Sequence, residues 1–134
     1  MWRRTNSPVW ALRAIALLSV LTLFACASPS GRSQQSFSTP QEAAHAFLDA
    51  LERNDASALT RIFGVENQKR VSVASWNANP ETRARLSRSA DDLYSIRDVS
   101  ANEAQLLIGV DRKPFPVPIM LDQKGWYFDA ARGV

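Results

Sequence analysis

Reactive side chains are scarce in this chain of 134 residues, which has one histidine, His45, and one cysteine, Cys26. His45 lies three residues after Glu42 and four before Asp49, a spacing that puts all three on one face of a helix. An imidazole between two carboxylates is the raw material of a metal site or an acid–base pair. On an amphipathic helix the same residues, with Glu52, are expected to make the solvated face. No Gly-x-Ser-x-Gly elbow and no glycine-rich phosphate loop occur, since Gly64, Gly109, Gly125 and Gly133 are isolated. Asp91 and Asp92 are neighbours, and neighbours on a helix point apart. Arg83, Arg85 and Arg88 suit an acidic partner or, more simply, a solvated basic face. Trp76 and Trp126 are pocket-lining types, but Trp126 alternates with Phe128 and is expected to fill the core. The expectation is no catalytic residue, no metal site and no cofactor, hence a domain that is not an enzyme.

Cys26 has chemistry of a different kind. Before it, Arg3, Arg4 and Arg13 form a positive head, and Ala14 to Ala25 is an uncharged, leucine-rich run of 12 residues. Such a run is shorter than the roughly 20 apolar residues of a membrane span, and it has the layout of an export signal. Leu23-Phe24-Ala25-Cys26 resembles the lipobox of bacterial lipoproteins. That resemblance implies cleavage between Ala25 and Cys26, with a diacylglycerol and fatty acyl chains such as palmitate on Cys26. Phe24 departs from the small residue usual there. Ala25-Cys26-Ala27 also reads as an A-x-A site, and cleavage after it would release a soluble protein beginning at Ser28. A lone thiol can make no intramolecular disulfide, and lipid attachment accounts for its position at the signal boundary. The expected location is therefore a bacterial cell envelope, lipid-anchored and facing the periplasm, with a soluble periplasmic or secreted form as the alternative.

The chain carries 16 basic and 13 acidic residues, a formal net charge of +3. Three of the basic residues lie in the leader, so the mature chain holds 13 of each sign. Binding to a phosphate backbone needs an uncompensated basic surface, so nucleic acid is not an expected partner.

One domain fits this length. The expected division is a signal peptide over 1–25, a lipidated N-terminus and flexible tether over 26–38, and a single domain over 39–134. The tether is polar and rich in Ser, Gln, Gly and Pro. Thr39-Pro40-Gln41-Glu42 is a capping box, and it opens a helix reaching about Arg53 with Ala43, Ala44, Phe47, Leu48 and Leu51 inward. Asn54-Asp55 re-caps the chain for a second helix, with Leu59, Ile62 and Phe63 on one face and an end at Gly64. Residues 65–78 carry no clear period, although Val71 and Val73 alternate like a strand. Asn79-Pro80-Glu81 starts a third helix to Leu93, with Leu86, Ala90 and Leu93 inward.

From Tyr94 the period falls to two. Strands are expected over 94–99, 104–110, 115–121 and 126–129, the last two joined by a turn at Asp122-Gln123-Lys124-Gly125. Pro114, Pro116 and Pro118 strip the amide donors from one side of their strand, leaving Phe115, Val117 and Ile119 to pair with 104–110 on the other. Helices followed by an antiparallel meander of about four strands make an α+β fold.

Phe37-Ser38-Thr39-Pro40-Gln41-Glu42-Ala43-Ala44, Asp55-Ala56-Ser57-Ala58-Leu59, Pro114-Phe115-Pro116-Val117-Pro118-Ile119 and Gly125-Trp126-Tyr127-Phe128-Asp129 together resemble the N-terminal part of DUF2950, a family of exported bacterial proteins of unknown function. The resemblance spans about residues 37–131 and implies no reaction and no site residues. Members continue past the Phe-Asp strand, which makes a truncated remnant of a longer protein one of the expectations. The helical hairpin, third helix and meander are also similar to the cone-shaped, nuclear-transport-factor-2-like fold, which hosts enzymes and binding modules alike. Two functional expectations follow. One is a tethered, non-enzymatic module with an envelope protein or the cell wall as partner. The other is a soluble small-ligand-binding domain or weak enzyme using the inside of the cone. The second requires a cavity that Phe115, Ile119, Trp126 and Phe128 do not seal.

Overall fold

The computed structural model describes residues 33–133. Cys26, Ala25 and the rest of the leader and its processing site lie outside the described residues. Helix α1 (Pro40–Glu52) begins as its capping box requires: Thr39 Oγ1 accepts the Glu42 amide at 3.1 Å. The return bond is displaced by one residue, because Glu42 Oε2 accepts the amide of Ser38, at 3.0 Å, rather than that of Thr39. Helix α2 (Ala56–Phe63) is capped by Asp55 Oδ1 on the Ala58 amide at 2.9 Å. The two helices form the expected hairpin.

Residues 65–78 hold no strand. A 3-10 turn over Val65–Asn67, a short helix α3 (Gln68–Val73) and a second 3-10 turn over Ser75–Asn77 fill the interval. On α3, Val71 is buried at 6% exposure and Val73 projects at 77%, so the apparent alternation is a coincidence of two valines on opposite sides of a helix. Helix α4 (Pro80–Asp92) is capped by Asn79 Oδ1 on the Thr82 amide at 2.8 Å. Ala90 is buried and Leu86 packs at the edge of the core, but Leu93 is exposed. Leu93 has already left the helix for extended backbone (φ −167°, ψ 133°), so the helical stripe no longer sets its direction.

The sheet contains β1 (Tyr94–Ser100), β2 (Glu103–Ile108), β3 (Lys113–Pro114), β4 (Ile119–Asp122) and β5 (Gly125–Phe128), in the order β1-β2-β4-β5 with β3 also on β2. Strands β3 and β4 lie along one edge of β2: Leu107 opposes Pro114, and Ala104 opposes Ile119. Three steps on β2 thus face five on the other strand, and the two extra residues form a bend within 115–118. The Phe115 amide bonds Leu106 O at 2.7 Å, as the proline spacing predicts, but the bend keeps Val117 out of the β2 ladder. An insertion of two preserves side-chain parity, so Phe115, Val117 and Ile119 all remain buried. Strand β2 stops at Ile108 instead of 110 because Gly109, at φ +80°, turns the chain out of the sheet. A last short helix, α5 (Ala130–Gly133), follows β5.

Helices α1 and α2 pack on β5, and α4 packs on β1 and β2. The core between them centres on Phe47. Its ring lies 5.5 Å from Phe63, 5.5 Å from Trp76, 4.7 Å from Phe115 and 5.4 Å from Phe128. Such ring pairs add about 0.5–1.5 kcal/mol each to the area they bury. Phe115, Ile119 and Phe128 are buried within this core, and Trp126 packs against it. The expected cone is therefore filled with aromatic side chains.

The domain begins before Thr39. Gln34 is buried, and its Nε2 donates to Ile62 O and Phe128 O. The Gln35 amide donates to Arg61 O at 2.8 Å, and Phe37 exchanges two 2.8 Å backbone bonds with Trp126 at the free edge of β5. The last four carbonyls of a helix have no partner within it. On α2 all four are met: Thr60 O by the Gly64 amide, Arg61 O by Gln35, Ile62 O by Gln34, and Phe63 O by Asn67 Nδ2. Residues 34–38, read from composition as the end of a flexible tether, cap a helix and close a sheet edge.

Candidate functional site

The residues singled out from the sequence converge only in part. Glu42 is engaged at the α1 cap, Asp49 pairs with Arg53, and His45 stays exposed. His45, Asp49, Glu52, Asp91 and Tyr94 do line a shallow cavity of about 360 Å³ between α1 and the end of α4. Among the described residues, no three His, Cys, Asp or Glu side chains are placed to hold a metal ion. Of the α4 arginines, Arg83 and Arg88 line one further cavity, with Glu52 of α1, and Arg85 does not. Arg83 Nη1 donates to Asn77 O and Oδ1, both at 3.3 Å, while Arg85 reaches Glu81 along the helix at 3.3 Å. The helix turn separates Asp91 from Asp92, and Asp92 faces a different cavity.

That second cavity is one of several depressions on the described domain. It is a half-open cleft of about 260 Å³ between the last two turns of α4 and the turn joining β2 to β3. Trp76, Leu86, Ile108 and Phe115 supply apolar lining, and Ser89, Asp92, Asp111 and Lys113 supply polar groups. Gly109 shapes it. Its positive φ starts the turn closed by the Arg112 amide on Gly109 O at 2.9 Å, and its own amide bonds Leu93 O at 2.8 Å. Val110, at the mouth, is 75% exposed. The side chains of Asp92, Asp111 and Lys113 make no ion pair or hydrogen bond among the described residues.

Trp76 is the unusual member. It is buried at 6% exposure inside the aromatic cluster, and its Nε1 is a buried donor with no acceptor. Such groups are rare because each forgoes about 1–3 kcal/mol. Trp76 is a pocket-lining type in the sequence, but nothing in the sequence brings Asp92, Asp111 and Lys113 to it. The available signal was Gly109-Val110-Asp111-Arg112-Lys113-Pro114, a charged turn directly after an apolar strand.

Residues 34–134, three quarters of the chain, match the family described as protein of unknown function DUF2950. The chain belongs to that family. The DUF2950 match begins at Gln34, the residue whose side chain ties the start of the domain to α2 and β5. Comparison with curated proteins and with solved structures gives no match, and the expected nuclear-transport-factor-2-like fold is not shown. Among the described residues no helix is long and apolar enough to cross a membrane.

Proposed function

We propose that this DUF2950 protein is an exported module held at a bacterial membrane through lipid on Cys26, and that it acts by binding rather than by catalysis. The leader, the Leu23–Cys26 motif and the solitary thiol support the address. The observation that carries the geometry is the docking of Gln34. Eight residues after Cys26 the chain is already fixed to the domain by Gln34, Gln35 and Phe37. Eight residues span at most about 28 Å when fully extended. A lipid on Cys26 therefore keeps the start of the domain within about 28 Å of the anchor, and its partner is an envelope protein or cell-wall element.

Binding is favoured because the chemistry-bearing side chains are spent elsewhere or spread apart: Glu42 on a cap, Asp49 on Arg53, Arg85 on Glu81. The core is filled around Phe47, so a soluble ligand-binding form would act at a surface cavity such as the half-open cleft beside Trp76. Fractionation tests the anchored reading. The wild-type protein is expected in the membrane fraction after washing with high salt and carbonate, and Cys26→Ser in the soluble fraction or as uncleaved precursor. Wild type that washes off the membrane refutes the anchor.

A further inference from the structure

We propose that β1 is a self-association edge: two copies of the chain pair their β1 strands antiparallel, about a twofold axis at Ile96, and join two sheets into one. The inference does not rest on the anchor at Cys26.

The two outer strands of the sheet end differently. Strand β5 is closed by the chain's own Phe37, which exchanges backbone bonds with Trp126. Strand β1 has seven residues, no proline and, among the described residues, no partner strand but β2. An open edge of that kind is a template for another strand. Hydrogen-bond phase identifies its free groups, because opposed residues of an antiparallel pair alternate between bonded and non-bonded. The Gly109 amide bonds Leu93 O, which puts Ser95 opposite Leu107 and Arg97 opposite Gln105 in the bonded phase. Ile96 opposes Leu106, whose carbonyl is turned to the Phe115 amide on the far side of β2. Tyr94, Ile96 and Asp98 therefore aim their amides and carbonyls out of the sheet.

Charge and pairing phase then select the register. Centred on Ile96, the strands set Ile96 against Ile96 and Tyr94 against Asp98 of the second copy, so every outward group of these residues is bonded. The same register places Arg97 opposite Ser95 and brings exposed Leu93 beside exposed Val99. Centring on Arg97 or Asp98 opposes like charges, which is destabilising. Centring on Ser95 leaves Asp98 without a strand partner, and centring on Val99 crosses the irregularity between Asp98 and Ser100. The contact is isologous and shorter than a standard interface, so a dissociation constant on the order of 0.1 mM is expected.

Sedimentation of the purified mature chain carrying Cys26→Ser, over a range of concentrations, reads the association. Ser95→Glu sets an opposite charge across from Arg97 twice per dimer and should tighten it about 2- to 30-fold, while Ser95→Lys should weaken it by a similar factor. Asp98→Pro removes an outward amide, spares the β2 ladder and should abolish the dimer; unchanged thermal unfolding at low concentration shows that it is folded. Register is read by disulfide formation. Tyr94→Cys mixed with Asp98→Cys should cross-link, since bonded pairs lie about 5.5 Å apart between Cα atoms, and neither variant should cross-link alone. A chain that stays monomeric up to about 1 mM overturns the self-pairing. So does a monomer whose Tyr94, Ile96 and Asp98 amides resist hydrogen exchange, because another segment of the same chain then holds the edge. A dimer indifferent to the charge at Ser95, or cross-linked by Tyr94→Cys alone, overturns the register.

Discussion

Replacing Gln34 by alanine should damage the domain more than its polar, Ser- and Gln-rich surroundings suggest. Its Nε2 satisfies Ile62 O, one of the orphan carbonyls at the end of α2, and Phe128 O on β5. The variant leaves two buried acceptors unmet, at about 1–3 kcal/mol each. Freeing an ordered glutamine side chain returns about 1.5–2 kcal/mol of conformational entropy. The net loss is about 2–3 kcal/mol, which for a domain near 100 residues lowers the melting temperature by about 10–20 °C. Gln35→Ala is the internal control. Gln35 is exposed, and its bond to Arg61 O comes from the backbone amide, which alanine keeps. Its effect should stay within about 0.5 kcal/mol. Thermal and urea unfolding of both variants beside wild type give the comparison. Equal, small effects of the two substitutions would refute the view that the domain starts at Gln34.

Other substitutions test the remaining structural claims. Trp76→Phe removes ring volume but also the unpartnered Nε1, so its stability should lie within about 1 kcal/mol of wild type, whereas Trp76→Ala should cost about 3–5 kcal/mol. Comparable losses in urea unfolding would mean that the indole N–H has an acceptor. On α3, Val71→Asp should unfold or severely destabilise the domain and Val73→Asp should be nearly silent, because only Val71 is buried. A strand would put both on one face, and equal sensitivity would restore that reading. Gly125→Ala should cost about 1–3 kcal/mol or more, since φ is +123° and a Cβ would lie 2.6 Å from Phe37 O. Hydrogen exchange should then show lost protection at the Phe37 amide, and retained protection would count against the bridge to Trp126.

The readable parts of the fold were those with local causes. Thr39, Asp55 and Asn79 announce helix starts because the side chain that makes each cap sits at the cap itself. The alternation of Phe115, Val117 and Ile119 reported burial correctly, because side-chain parity survives an insertion of two residues. It did not report the ladder, since the bend depends on where β2 lies. The 3-10 turns around α3 have no side-chain cap, and six residues are too few to show a helical period. Gln34 was hidden for another reason. Its partners Ile62 and Phe128 lie far along the chain, and composition alone describes its surroundings as linker. The cleft has the same character. Trp76, Asp92 and Asp111 come from a 3-10 turn, a helix end and a strand turn, and only packing brings them together.

The anchor itself is tested most directly by the intact mass of the mature protein recovered from membranes. The account predicts a chain beginning at Cys26 whose mass exceeds the polypeptide by a diacylglycerol group, with or without a further acyl chain, and the loss of that species in Cys26→Ser. An unmodified chain beginning at Ser28 would contradict it, and would mean that cleavage follows Ala27 and releases the domain.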